Sequence, residues 1–160
     1  MNCIGPQHLA LALFLAALSS AARAADEARK FDSPEVAELK ADLNAMQGRW
    51  AREYKNAAGA KFRVEKLVEG NQDTVTHLDA NGNIIHAHRS DFKLERAGAV
   101  KLYTFSNSEA IAGPNLGARR EGPRSFLYRI ENNTMYEVWG LTSGDASPLA
   151  VLVWKREPTN

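Results

Sequence analysis

"TVTHLDANGNIIHAH", residues 74–88, sets two short extended runs on either side of Asn81-Gly82. Asn-Gly between such runs is a strong hairpin signal, because a two-residue type I′ turn needs positive φ at both central residues. On that turn Ala80 pairs with Asn83, Leu78 with Ile85, and His77 with His86. Residues i and i+2 share a face of a strand, so His88 joins His77 and His86 on one side of the sheet. The stretch therefore predicts β-sheet, and it places three of the chain's four histidines together. A loop of odd length would send His77 to the opposite face.

The same punctuation recurs on both sides. "RWAREYK" and "KFRVEKLVE" flank "NAAGA", with Phe62, Val64, Lys66 and Val68 in one phase. "DFKLE" and "VKLYTF" flank "RAGA", "SFLYRI" and "TMYEVWGL" flank "ENN", and "LAVLVWK" ends before Pro158. About nine short, closely spaced strands predict an all-β fold, an antiparallel up-and-down β-barrel or a sandwich; closure into a barrel removes exposed edges. One helix precedes them. In "DSPEVAELKADLNAMQG", Asp32 or Ser33 can cap, Pro34 suits the first turn, and Val36, Leu39, Leu43 and Met46 make one apolar stripe. The longest connection, Ser106 to Arg124, is expected to be a loop, and loops longer than about 12–15 residues are usually functional or disordered.

Ahead of the helix, Leu9 to Ser20 is an apolar run of signal-peptide length, followed by Ala22-Arg23-Ala24. Residues 1–24 are therefore expected to be a cleaved leader, 25–47 a mobile arm and the amphipathic helix, and 48–157 the barrel. The only cysteine, Cys3, leaves with the leader, so the mature chain forms no disulfide. Arg23 leaves too, and the 20 basic residues become 19 against 19 acidic. A neutral chain has no global field to steer it onto nucleic acid or an anionic membrane, and no integral membrane segment is expected after cleavage.

"QGRW", Gln47 to Trp50, follows the helix and opens the first strand. With the opening "LKADLNAMQGRW" and the ending "VLVWKRE", it resembles the G-x-W signature of lipocalins and the wider calycin barrels. The chain is similar to small secreted lipocalin-like domains of bacteria such as planctomycetes. The resemblance implies that Trp50 closes one end of a barrel, with Arg156 packing over it. Two features depart from the family: the longest connection comes late in the chain, and there are no disulfide cysteines.

Candidate site residues follow from phase. Phe126 and Tyr128, Tyr103 and Phe105, and Glu137 and Trp139 alternate onto single strand faces. A barrel of about eight strands is either filled by side chains or wide enough for one small ligand. Turned inward, these six residues make an aromatic wall with a few polar groups, suited to a small apolar or amphipathic molecule. An inward Glu137 needs a cation, for which Arg129 on the preceding strand is the candidate; outward, it is a surface charge. Arg119, Arg120 and Arg124 in the long connection either hold a carboxylate or phosphate at the mouth or form a solvated loop. His77, His86 and His88 are the alternative, a zinc site with H-x-H on one strand. The sequence thus points to an exported, non-catalytic small-molecule binder without cofactor. A zinc protein and an envelope interaction module with a filled core are the competing readings. N-terminal sequencing of protein recovered from the cell envelope should begin at Ala25, and a chain that retains Leu9 to Ser20 would refute the leader.

Overall fold

Alternation along the strands sorts inside from outside. In residues 61–69, Val64, Lys66 and Val68 are buried while their neighbours are partly or fully exposed. The same two-residue period buries Asp73 and Val75, and Phe126 and Tyr128. The computed structural model describes residues 34–56, 58–141 and 148–158; the expected leader and the arm at 25–33 lie outside them. Its elements are α1 (Pro34–Met46), β1 (Gly48–Lys55), β2 (Lys61–Glu69), β3 (Gln72–Leu78), β4 (Ile84–Ala97) and β5 (Val100–Ala112). They continue as β6 (Arg119–Arg120), β7 (Arg124–Glu131), β8 (Thr134–Trp139) and β9 (Ala150–Arg156).

Eight of the strands pair antiparallel in the ring β1-β2-β3-β4-β5-β7-β8-β9, and β9 returns to β1. The short β6 adds to the edge of β5. Among the described residues this is a closed eight-stranded antiparallel barrel with one helix, consistent with a lipocalin-like fold. The closing seam is brief, with Trp50 opposite Arg156 and Ala51 opposite Lys155. Among the described residues no helix is long and apolar enough to cross a membrane.

The opening hairpin reaches the expected pairing by a different route. His77 does face His86, but the turn spans three residues, not two. The Gly82 amide donates to the Asp79 carbonyl at 3.1 Å, the Asp79 amide donates to the Asn83 carbonyl, and only Gly82 has positive φ. That odd loop pairs Leu78 with Ile84, and a bulge before His77 then takes up Ile85 and restores the register. Asp79 wins the turn from Asn81 because its Oδ1 accepts from the Asn81 and Asn83 amides, each at 2.8 Å. The type I′ signature appears elsewhere: Asn132 and Asn133 both have positive φ between the paired residues Glu131 and Thr134.

The connection from Ser106 to Arg124 is also not a plain loop. β5 runs on to Ala112, the chain turns through Gly113 to Gly117, and Arg119 and Arg120 pair back with Glu109 and Ser108. Gly113 is required at the tip, since a Cβ there would lie 2.6 Å from the Ile85 carbonyl oxygen. Glycine and proline in this segment mark the tip of a hairpin, and the residues before them are strand.

One barrel end is closed as the resemblance implies. Trp50 is fully buried, its Nε1 donates to the Met46 carbonyl at 2.7 Å, and the Arg156 guanidinium lies 4.2 Å from its ring centroid. Arg156 also donates to the carbonyls of Gln47 and Ala45, and so satisfies the C-terminal end of α1. Gly48 permits this, because its φ is +102° and Arg156 comes within 3.4 Å of where a Cβ would stand. Met46 is buried and Leu43 packs against the core, whereas Val36 of the expected stripe is exposed. Trp50→Ala is expected to cost about 3–5 kcal/mol, read as a lower denaturant midpoint, because it removes a core ring together with its cation–π partner.

Candidate functional site

The barrel interior is divided by charge. Lys66 on β2 is 3% exposed and Glu137 on β8 is 0% exposed, and Lys66 Nζ donates to Glu137 Oε1 across the lumen. Trp154 Nε1 donates to the other oxygen of Glu137 at 3.0 Å. Asp73 Oδ2 lies 3.8 Å from the same ammonium and accepts from the Tyr103 hydroxyl at 2.6 Å. The ammonium also sits over the Tyr103 and Trp154 rings, at 4.9 and 4.8 Å from their centroids. A buried charge is tolerated when it is paired and hydrogen-bonded, and Glu137 meets both conditions. Burial pushes the Asp73 carboxyl above its ordinary range, against the pull of Lys66 and Tyr103. Burial beside Asp73 likewise raises Tyr103 well above the ordinary phenol value, so the phenol remains a donor.

This cluster is the floor of a chamber that opens away from α1. The wall is aromatic. Phe126 stacks on Trp139 with centroids 4.3 Å apart and tilts against Phe105 at 5.1 Å. Arg52, Val75, Ser90 and Leu152 complete the sides, and His77 and His88 lie toward the mouth. The centres of water-sized molecules have about 70 Å³ to move in, where about 10–15 Å³ by that measure holds one water. The core is therefore not filled. Four buried polar atoms of the chamber residues lack a hydrogen-bond partner among the described residues: Arg52 Nε, Asp73 Oδ1, Ser90 Oγ and Trp139 Nε1. Buried polar atoms are rarely left so, and those facing a polar cavity are satisfied by water or a ligand.

Of the six residues expected to line a pocket, Tyr103, Phe105, Phe126, Glu137 and Trp139 border the chamber. Tyr128 is buried but lies below it, where its hydroxyl donates to Asp42 Oδ2 at 2.8 Å. The partner expected for Glu137 is wrong. Arg129 is one residue out of phase with the inward Tyr128, stays on the outer face, and pairs with Glu131 at 2.9 Å. Lys66, Asp73, Arg52, Ser90 and Trp154 escaped the sequence reading, although Lys66 stood in phase with Val64 and Val68. A charged residue in the apolar phase of a strand was the available signal.

The three histidines gather at the mouth, with ring centroids 5.7 Å apart for His77 and His86 and 5.4 Å for His86 and His88. They do not meet around a common point. Among the described residues no group of three or more His, Cys, Asp or Glu side chains could hold a metal ion. Burial lowers His88 to about 4, helped by repulsion from His86, His77, Lys66 and Arg120. His77 is lowered by burial and by its neighbours His86 and Arg52. Compared with protein-family models, with curated proteins and with solved structures, the chain matches none.

Two outcomes follow from these charges. Lys66→Met leaves Glu137 buried without its cation and should cost about 3–5 kcal/mol, whereas Lys66→Met with Glu137→Leu should recover much of that in chemical denaturation. The folded pKa of His88 lies below its unfolded value of about 6.5, so below that value the unfolded chain takes the proton first. Stability from neutral His88 is complete above pH 6.5 and is lost as pH falls toward about 4. Asp73 acts in the opposite sense, because its raised pKa lets the folded state take a proton first. Comparing melting temperatures of wild type and His88→Gln between pH 7.5 and 4.5 isolates the histidine contribution, and the variant should lose less stability over that range.

Proposed function

We propose that this protein is an exported, lipocalin-like binding protein that takes a small, partly apolar molecule into the chamber and performs no chemistry on it. The observation that carries this reading is the meeting of four unpartnered buried polar atoms, from four different strands, with one aromatic wall. A pocket that is mostly apolar and carries a few convergent polar groups is the usual form of a small-molecule site. The Gln47-Gly48-Arg49-Trp50 signature with Arg156 over the indole supports the lipocalin-like assignment. The apolar run and the A-x-A pattern at 22–24 support export.

The state of the polar groups favours binding over catalysis. Both oxygens of Glu137 are engaged, by Lys66 and by Trp154, which ties the carboxylate into the floor of the chamber as a partner for a buried cation. Ser90 Oγ has no hydrogen bond to a histidine or carboxylate that would activate it. Native mass spectrometry of the chain purified from the envelope fraction should find a small organic adduct released on denaturation. Ser90→Leu, which fills the chamber, should abolish the adduct while the circular dichroism stays native. A wild-type protein that arrives empty and takes up no small aromatic probe would count against the reading.

A further inference from the structure

The unmatched groups in the chamber also define a chemical class of ligand. Arg52 has no carboxylate in contact: Glu137 acts on it only at a distance, none of its nitrogens has an ion pair or hydrogen bond among the described residues, and its Nε is buried in a residue that lines the chamber. What holds it is aromatic, with the guanidinium carbon 5.1 Å from the Trp154 ring centroid and 5.3 Å from that of Tyr54. Lys66, the other cation inside, is already matched by Glu137. Trp139 Nε1 is a second donor without an acceptor in the same chamber. A guanidinium held by rings alone keeps its planar edge of N–H donors free, and that edge matches the two oxygens of a carboxylate.

The mouth has the same sign. Its border includes Arg119, Arg120, Arg124, His86 and His88 and contains no aspartate or glutamate. Arg119 leans on Glu109, which lies outside that border, at 3.4 Å, and Arg120 is near enough to His88 to repel its protonated form. A cationic rim over a low-dielectric lumen concentrates anions and speeds their entry.

Resting on the binding-protein reading above, we infer that the ligand is a small carboxylic acid with an apolar or aromatic body, its carboxylate held by Arg52 and Trp139 Nε1–H and its body against Phe105 and Phe126. A single ring suits the room available. The acid is bound as its anion, which gives the Arg52 guanidinium the contact carboxylate that it lacks.

The test uses the full chain with phenylacetate and its neutral isostere phenylacetamide, titrated by calorimetry near pH 7. Wild type should prefer the acid by about tenfold or more, the usual range for a charge-assisted hydrogen bond. Arg52→Gln should bring the two affinities together. Arg120→Gln should keep the preference and weaken the salt dependence of the association rate. If Arg52→Gln fails to fold, ¹³C-carboxyl phenylacetate on wild type decides alone. Bound acid should stay ionised to a lower pH than free acid, and an unchanged or raised titration midpoint overturns the inference. Equal binding of acid and amide, or a preference that survives Arg52→Gln, also overturns it and leaves the binding-protein reading standing. Failure of both probes to bind a correctly folded wild type removes the inference, and joined to an empty native mass spectrum it removes the reading as well.

Discussion

The contact between Lys66 and Glu137 spans the lumen. Its partners stand on β2 and β8, which are not neighbours in the ring, since β1 and β9 lie between them. An interaction between adjacent strands would set only a register, whereas this one sets how far apart two opposed walls can stand. The remaining interior polar groups are arranged around it, with Trp154 on the second oxygen of Glu137 and Tyr103 and Asp73 beside the ammonium. Charged groups cannot interdigitate as alkyl side chains do, and each needs its partners at fixed angles. The layer therefore stops the apolar packing that rises from the helix end, and the space beyond stays open.

The two ends of the barrel differ for the same reason. At one end the Trp50 indole N–H is spent on the Met46 carbonyl and two nitrogens of the Arg156 guanidinium on the carbonyls of Gln47 and Ala45. At the other end the border of the mouth holds basic groups and no aspartate or glutamate. Stability sits at the first end and the proposed recognition at the second, with the ion-paired layer between them. Changes at the mouth therefore need not disturb the clamp, which lets the specificity of such a barrel vary without loss of fold.

Much of this was legible in the sequence, and the misses are instructive. That Tyr103 shares a face with Phe105, Phe126 with Tyr128, and Glu137 with Trp139 follows from alternation alone, because side chains on a strand cannot avoid a period of two, whereas which face is inside does not. The facing of His77 and His86 was also correct, though two local departures produced it by cancelling: a three-residue loop and a bulge at Ile85. Turn type depends on side-chain acceptors such as Asp79 Oδ1, which compete with glycine's freedom and are not ranked by dipeptide signals. The partner of Glu137 was out of reach for another reason. Pairing between strands that are not neighbours depends on how the ring closes, and the identity of Lys66 as partner becomes visible only in the closed barrel. The hairpin at 106–124 was missed because Gly and Pro at its tip outweighed the extended residues before them.

The way the ring closes also sets an order of events. Trp50 and Arg156 lie at opposite ends of the sequence, and the ladder that joins their strands is short. Trp154, which completes the floor of the chamber, belongs to that same last strand. A growing or unfolding chain can hold the consecutive hairpins from β2 to β5 by local contacts, but closing a loop of that span carries the largest entropic cost in the fold. The seam is thus the last part to form and the first to open. Until the final strand is in place, Glu137 and Lys66 remain charges near the two ends of a curled, open sheet, and the protein has architecture without an interior.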